Sequence, residues 1–153
     1  MPAITNLQDF PVCIVYRGST QTIATGSTEV EIAWDSEETD SDVSNPTPMH
    51  DTSTNNGRIY TRTAGIYAFH VQIRWAVNAT GERNITLKKN GNQIGRHNKE
   101  SDNGADDLIM QAMVVNVMAA DDYFNVSVTQ RSGGDLLIRS GPAACRAAVW
   151  RIG

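Results

Sequence analysis

Three histidines, His50, His70 and His97, are the side chains of this sequence best suited to bind a metal ion or to transfer a proton. They stand in separate segments, and no H-x-x-x-H pair or Cys-Cys-His spacing connects them. A structural metal site uses such spacings, because several side chains must converge on one ion. The sequence therefore predicts neither a metal nor another cofactor.

The acidic run DSEETDSD at 35–42 is the second chemical candidate, since Ca²⁺ prefers clustered oxygen ligands. The run lacks the glycine and the ligand spacing of an EF-hand loop. We therefore interpret it as part of a solvated loop.

The sequence carries no signature of a hydrolase. A nucleophile elbow, G-x-S-x-G, is absent, and the Gly-Ser pairs at 18–19 and 26–27 stand in turn contexts without a neighbouring base. We therefore expect no catalytic residues and no enzyme activity. Glycosylation tripeptides begin at Asn78, Asn84 and Asn125, but two of them fall within predicted strands, which favours a coincidence.

Length and composition indicate one domain spanning residues 1–153. The chain is 40% hydrophobic and 20% charged, which is typical of a folded domain. Its net charge of −4 argues against nucleic acid as a partner, because nucleic acids attract basic surfaces. No apolar run reaches the ~18 residues of a transmembrane helix, so we expect no membrane partner. Cys13 and Cys145 are too few for a disulfide scaffold, and we interpret them as buried free thiols.

Alternating apolar and polar residues, interrupted by Gly, Asn, Asp and Pro, predict an all-β chain folded as two packed sheets. The predicted strands are 12–16, 20–24, 29–34, 58–62, 66–77, 83–89, 92–97, 107–119, 123–130 and 143–152. Asn90-Gly91 predicts a two-residue hairpin turn, because both residues tolerate positive φ. Residues 35–57 show no apolar period and are interpreted as a long polar connection, and 95–107 as a second polar loop.

The strand predicted at 107–119 is apolar on both sides: one includes Met110 and Val114, the other Met113 and Val115. Length alone leaves a helix open, but the valines and the neighbouring strands favour β structure. Antiparallel sheets usually leave one face in water, and this chain predicts no helices to cover the second face. We therefore expect another copy of the protein to cover it.

The strand predicted at 66–77 supports the same interpretation. Its odd-numbered residues form a complete core face that includes Phe69 and Trp75. The opposite side mixes apolar and polar residues and carries few charges, which is typical of a subunit interface. We interpret His70 on that side as a hydrogen-bonded interface histidine, in preference to a metal ligand or a pH switch.

Four segments carry a family resemblance: GIYAF at 65–69, LKKNG at 87–91, an acidic turn at Asp121-Asp122 and AAVWRI at 147–152. Together they resemble the jelly roll shared by tumour necrosis factor (TNF) and the globular heads of complement's first component, although the family's usual Gly-Asp is Asp-Asp here. The resemblance implies a ten-stranded antiparallel sandwich that forms a homotrimer, with strands 66–77, 107–119 and 143–152 in the inner sheet. The interface residues it implies are Ala68, His70, Gln72, Met113, Val115, Val117 and Trp150.

The segment MHDTSTNNGRI at 49–59, with Arg83 and Asn90-Gly91, is similar to the form of this domain in structural proteins of tailed bacteriophages. This resemblance implies a capsid decoration protein, made in the host cytoplasm and bound to the major capsid protein on the virion surface. We expect residues 1–11 to be an N-terminal arm that makes the capsid footprint together with loops at one end of the sandwich.

Two other functions stay open. A receptor- or glycan-binding tip of a tail fibre would use the loops 35–57 and 95–107 for recognition. A secreted cytokine-like ligand would need a leader, which the start of the chain does not resemble.

Overall fold

The computed structural model describes residues 10–101 and 104–153, and this part of the chain is all β. Most of the arm predicted at 1–11 therefore lies outside the described residues. Within these two ranges no helix could serve as a membrane span. The strands are β1 (Val12–Tyr16), β2 (Gln21–Ile23), β3 (Gly26–Glu31), β4 (Ser36–Ser41), β5 (Arg58–Thr61), β6 (Gly65–Trp75), β7 (Glu82–Lys89), β8 (Asn92–Glu100), β9 (Leu108–Met118), β10 (Asp122–Gln130), β11 (Leu136–Ile138) and β12 (Arg146–Arg151).

The strands form two antiparallel sheets. Sheet A has seven strands in the order β2-β11-β6-β12-β1-β4, and β9 pairs with β6 as well. Sheet B has five strands in the order β3-β10-β7-β8, and β5 pairs with β10. The strands β9, β6 and β12 are neighbours in sheet A, which confirms the prediction that 66–77, 107–119 and 143–152 share one sheet.

The core lies between the two sheets, and every second side chain of β6 points into it. Its residues Tyr67, Phe69 and Trp75 are fully buried, as the core face predicted for this strand requires. The ring of Phe69 stacks on that of Phe124 from sheet B with 4.7 Å between the centroids. Val77, which the prediction included in the face, lies beyond the end of the strand and is exposed.

The predicted hairpin at Asn90-Gly91 is confirmed. Both residues have positive φ, 50° and 79°, and Lys89 pairs with Asn92 on either side of the turn. The turn into β10 also contains a residue with positive φ, and this residue is not a glycine: Asp121 has a φ of 63°.

The prediction of ten strands is wrong, because the described residues form twelve. Residues 36–41, assigned to a polar connection, form the edge strand β4, and 136–138 form the short strand β11. Strand β4 has no apolar period because, in the part of the chain that the structure describes, it pairs only with β1 and turns few side chains to the core. The prediction of a loop at 95–107 is also wrong for residues 95–100, because β8 continues to Glu100, which pairs with Glu82.

We predict that Phe124→Ala lowers the free energy of unfolding by about 3–5 kcal/mol, because it removes one ring of the stack that joins the sheets. Phe10→Ala is the matched control and should have a smaller effect, since 41% of Phe10 is exposed. Urea denaturation of both variants measures the difference. Equal losses of unfolding free energy in the two variants would contradict a particular contribution of the Phe69–Phe124 contact to stability.

Candidate functional site

The face of sheet A that points away from sheet B is the candidate site. All seven residues implied as interface residues lie on it. Val115 of β9, Ala68 of β6 and Trp150 of β12 form one cross-strand row, and Met113 and His70 are partners in the next. The register therefore brings together residues that are far apart in the sequence.

The β9 part of this face is apolar and open to solvent. Met113 is 54% exposed, Val115 is 53% exposed and Val117 is 66% exposed, whereas Met110 and Met118 on the other side of the strand are buried. Ile66 on β6 extends the exposed apolar area beside Val117. The prediction that β9 is apolar on both sides is confirmed, and one side has no cover within residues 10–101 and 104–153. Apolar patches of this kind are typical of interaction surfaces.

The middle of the face contains one small side chain, that of Ala68, and one polar ring, that of His70. Ala68 lies in register between Val115 and Trp150 and is only 1% exposed, because its larger neighbours rise above it. His70 lies in register between Met113 and Ala148 and is partly buried.

A row of polar side chains crosses this face near the Trp75 end of β6. There Gln111 Nε2 donates to Gln72 Oε1 at 2.8 Å, and Gln72 Nε2 donates to Ala143 O at 2.7 Å. In the next row Arg74 pairs with Ile109, and beyond the start of β9 Asp107 accepts hydrogen bonds from Arg139 and from Arg74. The hydrogen bonds from Arg139, in particular, hold the pKa of Asp107 below its usual value. The side-chain amides of the glutamine row already have partners, and the exposed side chain of Ile109 lies beyond that row.

The edge of β9 that faces sheet B is closed by side chains. Lys89 Nζ donates to Val117 O at 2.8 Å, and His97 Nδ1 donates to Gln111 O at 2.7 Å. Gly95 of β8 fits against Val114, since a Cβ there would lie 2.7 Å from Val114 Cγ1. A partner would therefore meet the face of β9 and not add a strand to this edge.

The acidic run 35–42 is an ordered part of the fold, so its interpretation as a solvated loop is corrected. Asp40 accepts hydrogen bonds from the backbone N–H groups of Met49 and His50, each at 3.0 Å. Asp35 accepts the N–H of Gly18 at 2.5 Å. No group of three or more potential metal ligands occurs within residues 10–101 and 104–153.

The glycosylation tripeptides in β7 and β10 are inaccessible. Asn84 and Asn125 are 2% and 5% exposed, and their side-chain amides donate to Thr129 Oγ1 and Glu31 Oε2. An oligosaccharide could not be attached to either amide in the folded protein.

Comparison with known proteins identifies the fold. No protein-family model matches the chain, and no curated protein matches its sequence. Among solved structures, murine APRIL at pH 5.0 matches 94% of this chain and 99% of its own with a TM-score of 0.65 and 11% identity. Eiger TNF from S. frugiperda matches 95% of this chain and 94% of its own with a TM-score of 0.61 and 15% identity.

The chain has a TNF-like jelly-roll fold. This confirms the fold implied by the sequence resemblance. At 11% and 15% identity the likeness concerns the fold alone.

Both cysteines are buried free thiols, as predicted. Burial raises the pKa of Cys145 to about 12 and also raises that of Cys13, where the carboxylates of Asp40 and Glu37 add to the effect.

Since the thiolate is the reactive form, we predict that neither thiol reacts with Ellman's reagent in the folded protein. Two thiols should react after denaturation in guanidinium chloride. Rapid reaction of the folded protein would contradict this burial.

Proposed function

We propose that this protein is a homotrimer whose subunits meet through the exposed face of sheet A. One observation carries the proposal. Three neighbouring apolar side chains on the outer side of β9 are each more than half exposed, those of Met113, Val115 and Val117. Neither β6 from 66 to 72 nor β9 from 111 to 117 contains Asp, Glu, Lys or Arg. Burying this area against other copies would therefore require little desolvation of charge. The TNF-like fold supports three copies, as the family resemblance implies.

The expected size of the contact favours a permanent assembly. Obligate interfaces commonly exceed ~2,000 Å² of buried surface. At ~25 cal/mol per Å² of apolar area, such a contact yields tens of kcal/mol before the opposing costs of association. The trimer should therefore persist at micromolar concentration.

The function we propose for this trimer is capsid decoration, without enzyme activity. Each subunit would contact the major capsid protein of a tailed-phage head, and three weak footprints would act together through effective concentration. Decoration is mechanical, so it needs a rigid trimer and no reactive group. The protein would be made in the host cytoplasm and then reside on the virion surface.

The segments that resemble phage proteins make structural contacts in this fold. Residues 49–57 of the segment 49–59 belong to the connection between β4 and β5, and Tyr60 N donates to Met49 O at 2.7 Å. Arg83 is buried and donates to the backbone carbonyls of Asn78 and Thr80. These contacts hold the connection before β5 and the turn before β7, and we expect loops at one end of the sandwich to contribute to the footprint.

A polar cleft favours a second function, the receptor- or glycan-binding tip of a tail fibre. The cleft has a volume of about 600 Å³ and lies between β4 and the segment 42–52. Its lining includes the side chains of Asp42, Asn45 and Thr47, which could bond to the hydroxyl groups of a sugar.

We predict that Val115→Asp prevents trimer formation, because it would bury three unpaired carboxylates. Val43→Asp is the matched control, since Val43 is 60% exposed and lies off this face. Multi-angle light scattering should give three times the 16.7 kDa chain mass for the wild type and for Val43→Asp. Val115→Asp should give the chain mass or insoluble protein. A soluble Val115→Asp trimer, or a monomeric wild type, would contradict the proposed interface.

We predict that the wild-type protein sediments with undecorated phage heads at a fixed ratio. Because three footprints act together, a monomeric Val115→Asp protein should bind far more weakly, while Val43→Asp should bind like the wild type. Gel densitometry of the pellet measures the ratio. If the protein stays in the supernatant but binds host cells or a glycan array, the fibre-tip function replaces decoration.

A further inference from the structure

Two groups of apolar side chains lie on the outer face of sheet A, on either side of β6. The β9 group consists of Met113, Val115 and Val117, on which the proposed trimer contact rests. The second group, which we name the β12 group, consists of Trp150 and Ile152 at the end of β12. Trp150 is partly buried, and Ile152 is 51% exposed. The strands β9 and β12 pair with opposite edges of β6, so β6 separates the two groups.

The strand register places residues of the β9 group in the same cross-strand rows as residues of the β12 group. Val115, Ala68 and Trp150 form one of these rows. The next row is built around Ile66, which pairs with Val117 and whose carbonyl accepts the N–H of Ile152 at 2.7 Å. Val115 therefore lies at the same level along the strands as Trp150, and Val117 lies at the level of Ile152.

A trimer with threefold symmetry requires two different contact patches on each copy. In a ring of three, each copy meets two neighbours, and the patch that it presents to one neighbour differs from the patch that it presents to the other. Rotation about an axis that runs along the strands leaves every residue at its own level on that axis. Side chains that meet between two copies then belong to the same cross-strand row.

We propose that the β9 group of one copy packs against the β12 group of the next copy, with Val115 against Trp150 and Val117 against Ile152. This pairing rests on the proposed trimer and specifies how its copies meet. Each copy buries both of its apolar groups, because it presents the β9 group to one neighbour and the β12 group to the other. Trp is enriched at the core of interfaces, since its side chain buries a large apolar area.

A cavity on the β12 side of the face offers space for the other end of β9. The cavity has a volume of about 480 Å³, and its lining includes Tyr16 and Arg146. Arg146 pairs with Gln72, and Gln72 pairs with Gln111, so the cavity lies at the level of the glutamine row. Ile109 is the next outward-facing residue of β9 and is 48% exposed. In the proposed contact, Ile109 of each copy faces this cavity of its neighbour.

Disulfide trapping of the double variant Val117→Cys/Ile152→Cys tests the pairing. After oxidation with oxidised glutathione, we expect disulfides between copies and a covalent trimer on non-reducing gels. A disulfide requires Cα atoms within ~7 Å of each other. Within one chain the two positions are separated by two strand spacings, roughly 9–10 Å, so the bond should form between chains.

The matched control is the double variant Val117→Cys/Leu137→Cys. Leu137 is 37% exposed and lies on the same side of β6 as Ile152, but it is near the Trp75 end of that strand. We expect at least tenfold less covalent trimer from this control. The wild type should give single chains on the gel, because Cys13 and Cys145 are buried.

Multi-angle light scattering of the same samples before oxidation distinguishes the failures. A trimer that forms no disulfide in Val117→Cys/Ile152→Cys would overturn the pairing and leave the trimer in place. A covalent dimer of the single variant Val117→Cys would also overturn the pairing, because β9 would then meet β9 of another copy. A monomeric wild type would overturn the proposed trimer and the pairing together.

Discussion

The pairing of β6 with β9 is the interaction on which the rest of the structure depends. The two strands run antiparallel in unbroken register from Gly65 opposite Met118 to Trp75 opposite Leu108. This register sends every second side chain of both strands into the core and aligns the others on one outer face. A shift of one residue would turn Phe69 and Trp75 outward and leave the Phe69–Phe124 stack without one ring.

The outer faces of the two sheets differ in the polarity and the exposure of their side chains. On sheet B, short polar side chains such as Thr86 and Ser127 are almost fully buried, and Glu29 pairs with Lys88 and accepts a hydrogen bond from Thr86. Many polar groups of that face are hydrogen-bonded within the described residues, although the Oδ1 atoms of Asn84 and Asn125 are buried without a partner there. The outer face of sheet A has few polar groups to satisfy and exposes Val115 and Val117 instead. This asymmetry explains why we assign association to sheet A and recognition to the loops.

Prediction from the sequence succeeded where the signal is local. The alternation of β6 and the Asn90-Gly91 turn depend on neighbouring residues, so both are visible in the sequence. The strand β4 was missed because an edge strand needs backbone pairing but no apolar side. The extension of β8 was missed for a related reason: its partner β7 determines how far the hairpin continues, and its own residues are polar.

The sequence by itself determined an all-β chain, the core side of β6 and the two-sided apolar character of β9, since side-chain alternation has a period of two residues. Only the tertiary structure decided which side of β9 remains exposed, because that depends on the position of sheet B. It also brought His50 between Glu37 and Asn56, and Lys89 to the carbonyl of Val117. These contacts join residues from different strands and loops, and no spacing along the sequence predicts them.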